Sequence, residues 1–329
     1  MRTRAPGALA QKRAAAHTRA PRGVRYPTMG TVTSATEQPE TPAAGRTAPI
    51  PRLIATDLDG TLLRDDKTVS ERTVAALAAA EAAGIEVFFV TGRPARWMDV
   101  ASAHVHGHGL AICANGAAVV DLRGGGRLVE VRPLERADAL AVVERVRAAV
   151  PGTSFAVECT TGFHYEPEYP PYQLDPDATV GPAEEFLTED SATDEGEGAG
   201  VPRGPILKLL AHHPELAPDA FLALARTAAG AHGSITRSSP TALLEVSGLG
   251  VSKASTLAGY CAEHGITPEE VVAFGDMPND LEMLGWAGTS YAMANAHPEV
   301  LAATTHRTAA NNEDGVAAVI ERIVRVACR

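Results

Sequence analysis

Three largely apolar runs stand out in the first half of the chain: Arg52–Thr56, Ile85–Val90 (IEVFFV) and Leu110–Ala114. None alternates apolar with polar, as expected of strands buried on both faces of a parallel sheet. Between the first two runs the spacing becomes helical. Ser70 is placed to cap a helix through Ala83, with Gly84 as its stop. A second helix is predicted over Ala95–Val105. After Asn115-Gly116 the pattern changes. Ala117–Asp121 and Arg127–Val131 flank an Arg-Gly-Gly-Gly turn and predict a hairpin. A helix over Leu134–Val150, strands at Ser154–Cys159, Phe163–Tyr165 and Ile206–Ala211, a helix over Ala217–Ala229 and strands at Gly233–Arg237 and Leu243–Val246 follow. Strand–helix alternation then resumes, with a helix at Ser252–His264, a strand at Val271–Phe274, a short helix, a strand at Ser290–Ala294 and a last helix near Gly315–Val326.

This order predicts an α/β fold, a doubly wound parallel sheet interrupted by an α+β segment. The expected divisions are a disordered basic leader over 1–50, a first core segment over 51–122, an inserted unit over 123–237 and a second core segment over 238–329. Within the insertion, residues 166–202 contain no lysine or arginine and are rich in Pro, Gly, Asp and Glu. That composition predicts a flexible stretch.

With 329 residues, 45% of them hydrophobic and 21% charged, the chain is long enough for two domains with a real core. Its net charge of −11 argues against a nucleic-acid partner, and no apolar run is long enough to span a bilayer. Four scattered cysteines, none in a CxxC pair, suit a reducing, cytoplasmic setting. A monomer or small homo-oligomer is expected. The first 36 residues hold seven basic and no acidic residues, and the tract HVHGHG with His104, His106 and His108 reads as a solvated loop.

Candidate chemistry sits where strands end: TDLDGT after the first, TGR after the second and GDMPND after Val271–Phe274. In open α/β sheets, ligands bind outside the carboxyl ends of the strands. An EF-hand starting at Asp57 would need a ligand at 61 and a glutamate at 68, where Thr61 and Thr68 stand. Asp57, Asp59, Asp276 and Asp280 gathered at one edge would repel each other unless a cation lay among them, and oxygen-only ligands suit Mg²⁺. Lys253 opens a helix, where the macrodipole disfavours a cation. It is either a free surface lysine or one paired with carboxylates and a bound phosphate. Thr91-Gly92 offers a hydroxyl and an approachable backbone N–H, or is a simple turn. Together these features suit phosphoryl transfer: one aspartate attacks phosphorus, and another moves the proton.

With these motifs in this order over about residues 51–329, the sequence resembles the haloacid dehalogenase-like phosphatases, in particular the Cof-type subfamily. The resemblance implies Asp57 as nucleophile and Asp59 as general acid/base. Thr91, Gly92, Lys253 and Asn279 would hold the phosphate. Asp57, Asp276 and the Asp59 carbonyl would hold Mg²⁺, with Asp280 close by. The implied activity is hydrolysis of a small phosphorylated metabolite (a sugar phosphate, a phosphorylated cofactor or a nucleotide). A sugar phosphomutase would use the same intermediate. The spacing from Asp59 to Thr91 leaves no room for a cap, whereas the stretch from Thr91 to Lys253 holds one. Arg93 and Asn115 are further candidate substrate contacts.

Overall fold

A computed structural model of the chain describes residues 50–102, 109–170, 177–188 and 204–327. Residues 1–49 of the leader, His104, His106 and His108, Cys328 and much of the stretch expected to be flexible lie outside them. The first core segment contains β1 (Leu53–Thr56), α1 (Glu71–Ala82), β2 (Glu86–Val90), α2 (Asp99–Ser102), β3 (Leu110–Cys113), β4 (Ala118–Asp121) and β5 (Arg127–Val131). The insertion holds α3 (Arg136–Ala149), β6 (Ser154–Cys159), β7 (Gly162–Tyr165), β8 (Thr179–Val180), α4 (Ala183–Leu187), β9 (Ile206–His212), α5 (Pro218–Ala229), β10 (Ser234–Thr236) and β11 (Leu243–Ser247). The chain then returns to the core with α6 (Lys253–Glu263), β12 (Val271–Gly275), α7 (Leu281–Trp286), β13 (Thr289–Ala292), α8 (Pro298–Ala303), β14 (His306–Arg307) and α9 (Gly315–Ala327).

The core sheet runs β14-β13-β12-β1-β2-β3-β4-β5. It is parallel from β14 to β3, and the hairpin β4–β5 adds an antiparallel edge. Unbroken apolar sequence is explained by position: β1 lies between β12 and β2 and is buried along its whole length. Ser70 caps α1 as predicted, accepting from the Thr73 N–H, and Gly84 ends it with φ +80. The second sheet runs β10-β11-β9-β6-β7-β8, antiparallel except for β7–β8. It has its own core, with α3, α4 and α5 contributing Val142, Phe186 and Phe221.

Strand pairing moves both edges of the insertion. The hairpin β4–β5 belongs to the core sheet, because β4 pairs with β3, so the expected boundary at 123 falls inside a core hairpin. At the other end, β11 pairs with β9 and β10 in the second sheet, beyond the expected limit at 237. Residues 177–188 do not form a flexible stretch either. Ala183, Phe186 and Leu187 are buried, and Arg136 donates to the Phe186 carbonyl at 2.9 Å. Over its described part, residues 95–102, the helix expected at Ala95–Val105 is a 3₁₀ turn at Ala95–Trp97 followed by α2. There the Trp97 and Met98 N–H groups bond three residues back, and the Trp97 carbonyl accepts from Arg93 at 3.3 Å. Cys113, Cys159 and Cys261 are buried. No helix among the described residues is long and apolar enough to cross a membrane.

Candidate active site

The site forms at the carboxyl ends of β1, β2 and β12. Asp57 follows β1 and continues its pairing, donating its N–H to the Phe274 carbonyl at 3.1 Å. The chain then turns through Gly60, whose φ is +79. A Cβ there would stand 2.2 Å from Asp276 Oδ2, so only glycine allows this approach. Asp276 follows β12 and accepts from the Thr61 hydroxyl at 2.8 Å. Asp280 ends the 3₁₀ turn Pro278–Asp280, and its Oδ2 accepts from the Asp276 and Met277 N–H groups, both at 3.0 Å.

Lys253 resolves its own anomaly. A capping box between Ser252 and Ser255 starts α6 without help from the lysine. Its side chain is 1% exposed and donates to Asp57 Oδ1 at 2.6 Å and Asp280 Oδ1 at 2.7 Å. The helix start thus tolerates the cation because two carboxylates face it.

Three carboxylates here are held at opposite ends of the scale. Burial pushes Asp57 well above the usual carboxylate range, and Asp280 and Asp276 add to that against the pull of Lys253. Burial and the charge of Asp280 likewise push Asp276 up, to about 7. Asp59 is also partly desolvated, yet Arg93 and Lys67 hold it down to about 2. Arg93 grips it with two bonds, Nε to Oδ2 at 2.5 Å and a terminal nitrogen to Oδ1 at 2.7 Å, and Lys67 Nζ adds a third at 2.8 Å. On Lys253, burial opposes the charge, but Asp280 and Asp57 outweigh it and raise its pKa.

Among the described residues, Asp57, Asp276 and Asp280 form a cluster that could hold a metal ion, their oxygens all within 4.8 Å of one another. The donor set fits a hard divalent cation: it is oxygen only, buried, and carries more negative charge than Lys253 offsets. Beside it, Asn279 Oδ1 is buried without a protein partner, an acceptor left for a ligand's donor.

A cleft of about 700 Å³ opens between these strand ends and the second sheet. Asp57, Asp59, Thr91, Gly92, Arg93, Asp276 and Asn279 line it on the core side. Thr91 is buried, and its hydroxyl accepts from the Arg93 N–H at 3.1 Å. Asn115 is placed differently from the others: it lies behind the cleft wall, donating to Glu245 Oε2 and accepting from Asn279 Nδ2, both at 3.0 Å. Arg93 faces Asp59 in this structure. Sequence reasoning passed over Lys67, Lys208 and Glu245. Lys67 sits in a tight turn with φ +65 and gave no local signal. Lys208 and Glu245 did give one, a single charge in each of two apolar strands, ILKLLAH and LLEVS.

Comparison with known proteins agrees with this geometry. The profile of the haloacid dehalogenase-like hydrolases matches residues 54–320. The 5-amino-6-(5-phospho-D-ribitylamino)uracil phosphatase YitU of Bacillus subtilis is 30% identical, over 81% of this chain and 95% of its own. The pyridoxal phosphate phosphatase YbhA of Escherichia coli is 28% identical, over 82% and 97%. A solved phosphatase of the same superfamily from Bacteroides thetaiotaomicron superposes with a TM-score of 0.67 at 23% identity, covering 86% of this chain and 98% of that one.

Proposed function

The chain belongs to the haloacid dehalogenase-like hydrolases and is a phosphoric monoester hydrolase, and from that premise we propose a route through an aspartyl-phosphate on Asp57. The substrate is a small phosphorylated metabolite. The observation that carries the route is the buried Lys253, which bridges Asp280 and Asp57, the latter lining the cleft. A carboxylate oxygen of Asp57 attacks phosphorus, and the bond from phosphorus to the leaving oxygen breaks. Asp59 gives its proton to that oxygen. It then takes a proton from water, which attacks phosphorus, releases inorganic phosphate and restores Asp57. Thr91, Gly92, Asn279 and Lys253 position the phosphoryl oxygens.

Asp57, Asp276 and the Asp59 carbonyl would hold Mg²⁺, with Asp280 close by. When bound, the ion supplies positive charge to the phosphoryl oxygens and to the carboxylates around it. Burial alone favours the neutral Asp57 carboxyl, which cannot attack, so removing divalent cations is expected to stop turnover.

The cleft's other wall supports a class of leaving group. Phe163, Tyr169, Leu210 and Leu243 present apolar and aromatic surface, Trp97 adds an indole from the core side, and Ser238, Ser239 and Thr241 add hydroxyls. Such a wall suits a small alcohol that carries a planar heterocycle, the chemistry named for YitU and YbhA. The test is phosphate release from pyridoxal phosphate, ribitylaminouracil phosphate, FMN, glucose 6-phosphate and AMP, each with Mg²⁺ and with EDTA. Magnesium-dependent release that favours the esters bearing a planar heterocycle is expected. Release that persists in EDTA would refute the metal assignment, and a preference for glucose 6-phosphate would refute the leaving-group class.

The hold of Arg93 and Lys67 on Asp59 makes a second expectation. A general acid must carry its proton, and these cations favour the anion. In Lys67→Met the Asp59 pKa rises and the alkaline limb of the kcat/KM profile moves to higher pH. A profile superimposable on the wild type would show that Lys67 does not tune Asp59.

A further inference from the structure

Three charged residues lie buried in strands of the second sheet, Glu158, Lys208 and Glu245, and two of them pair with each other. Lys208 in β9 and Glu245 in β11 are 5% and 3% exposed and form an ion pair with each other. Burying such a pair costs several kcal/mol per ion before the partners repay it, and apolar replacements often fold as well. Stability of the sheet is therefore a weak reason for the pair. Two of its further hydrogen bonds supply a stronger one, because they leave the second sheet for the core.

Lys208 Nζ donates to the Gly92 carbonyl at 2.8 Å. That carbonyl shares its peptide unit with the Arg93 N–H, which donates to the Thr91 hydroxyl at 3.1 Å. One lysine thus sets the plane of the peptide that orients Thr91. Glu245 Oε2 accepts from Asn115 Nδ2 at 3.0 Å, and Asn115 Oδ1 accepts from Asn279 Nδ2 at 3.0 Å. Asn115 is itself in the left-handed region with φ +56, a conformation that its surroundings must hold. Gly92 is packed into the same network. A Cβ there would stand 3.1 Å from Asn115 Oδ1 and 3.4 Å from Glu245 Oε1.

We propose that Lys208 and Glu245 are positioning residues. Carried by the inserted sheet, they fix the Gly92–Arg93 peptide and the Asn115–Asn279 amide pair in the arrangement that receives the phosphoryl group. The phosphate site is then complete only with the inserted sheet seated on the core. The identity of the anion rests on the phosphatase reading above.

The experiment compares the full-length wild type with Lys208→Met and with Lys208→Met/Glu245→Gln. The double variant leaves no unpaired buried charge, so a folding loss in the single variant does not obscure the result. Calorimetric binding of inorganic phosphate with Mg²⁺ is the first readout. The second is kcat and KM for acetyl phosphate, whose leaving group has two carbons, and for the best ester bearing a planar heterocycle. Both variants are expected to bind phosphate about 10-fold more weakly and to lose about 10- to 100-fold in kcat/KM on both substrates alike, as misplacement of a reacting site does. Unchanged phosphate affinity would overturn the proposal. So would a loss confined to the heterocyclic ester, which would make Lys208 a substrate contact. A wild type that binds phosphate but hydrolyses no ester would sink the phosphatase reading and still leave the affinity ratio to judge the pair. A wild type that binds no phosphate would overturn both.

Discussion

Asp57→Asn is expected to lower turnover by about 10⁴-fold or more, in the range seen when a catalytic nucleophile is removed. The same change is expected to leave the fold intact and to raise the melting temperature of the metal-free protein at neutral pH. The second half follows from the sign of the pKa shift. The folded-state pKa of Asp57 lies well above the usual 3.8 because of burial, with Asp280 and Asp276 adding to it. A carboxyl raised on folding contributes its full stability below its unfolded pKa and loses it as pH climbs through the folded one. At neutral pH the unfolded carboxyl is ionised, so folding must either bind a proton there or bury the charge, and a neutral amide of the same shape requires neither. Lys253 keeps Asp280 as a partner in the variant, 2.7 Å away. Phosphate release and thermal unfolding at pH 7 test the two halves separately. Retained turnover would move the nucleophile elsewhere, and a large fall in melting temperature would mean that the Asp57–Lys253 bond outweighs the burial cost.

Lys253→Met is expected to damage both activity and stability. The lysine is fully enclosed and touches Asp57 and Asp280, with Asp276 in the same cluster. Without it, three buried carboxylates face one another with no cation supplied by that helix start. Removing one partner of a buried ion pair costs about 3–5 kcal/mol, mostly because a charge is left without compensation. The phosphoryl group also loses a cation, so turnover is expected to fall by about 10³-fold or more. The stability loss has a pH signature. Asp57, already raised by burial, rises further when Lys253 is gone, and Asp276 already stands near 7. These groups cost nothing when protonated, so the gap to wild type narrows as pH falls below about 7 and widens above it. Added Mg²⁺ narrows it at neutral pH. Melting curves across pH, with and without Mg²⁺, read this directly. A gap independent of pH would mean that the lysine acts through packing and not through charge.

Several features of the site are legible in the chain pattern. The unbroken apolar runs and their spacing predict a parallel sheet, and polar motifs at three strand ends mark where a ligand belongs. Lys253 is conspicuous because its charge opposes the local helix dipole, a conflict visible within a few residues of sequence. The carboxylates Asp57, Asp276 and Asp280 can be gathered for a related reason: strand ends of one sheet share an edge.

What the chain pattern could not supply is pairing between distant segments. The membership of β5 and β11 in their sheets depends on which edge each strand finds, so both boundaries of the insertion shifted. The acidic, Pro-rich composition around residues 177–188 said nothing of Phe186 and Leu187, which have a second sheet to bury against. Lys208 meets Gly92 across 116 positions and Glu245 meets Asn115 across 130. By itself the sequence determined the alternation, the strand-end motifs and the oxygen-rich cluster, because each rests on periodicity or local electrostatics. The tertiary structure alone decided which cations hold Asp59 and which sheet holds Asn115. Those contacts are set by strand order and turn conformation, and neither leaves a mark on neighbouring residues.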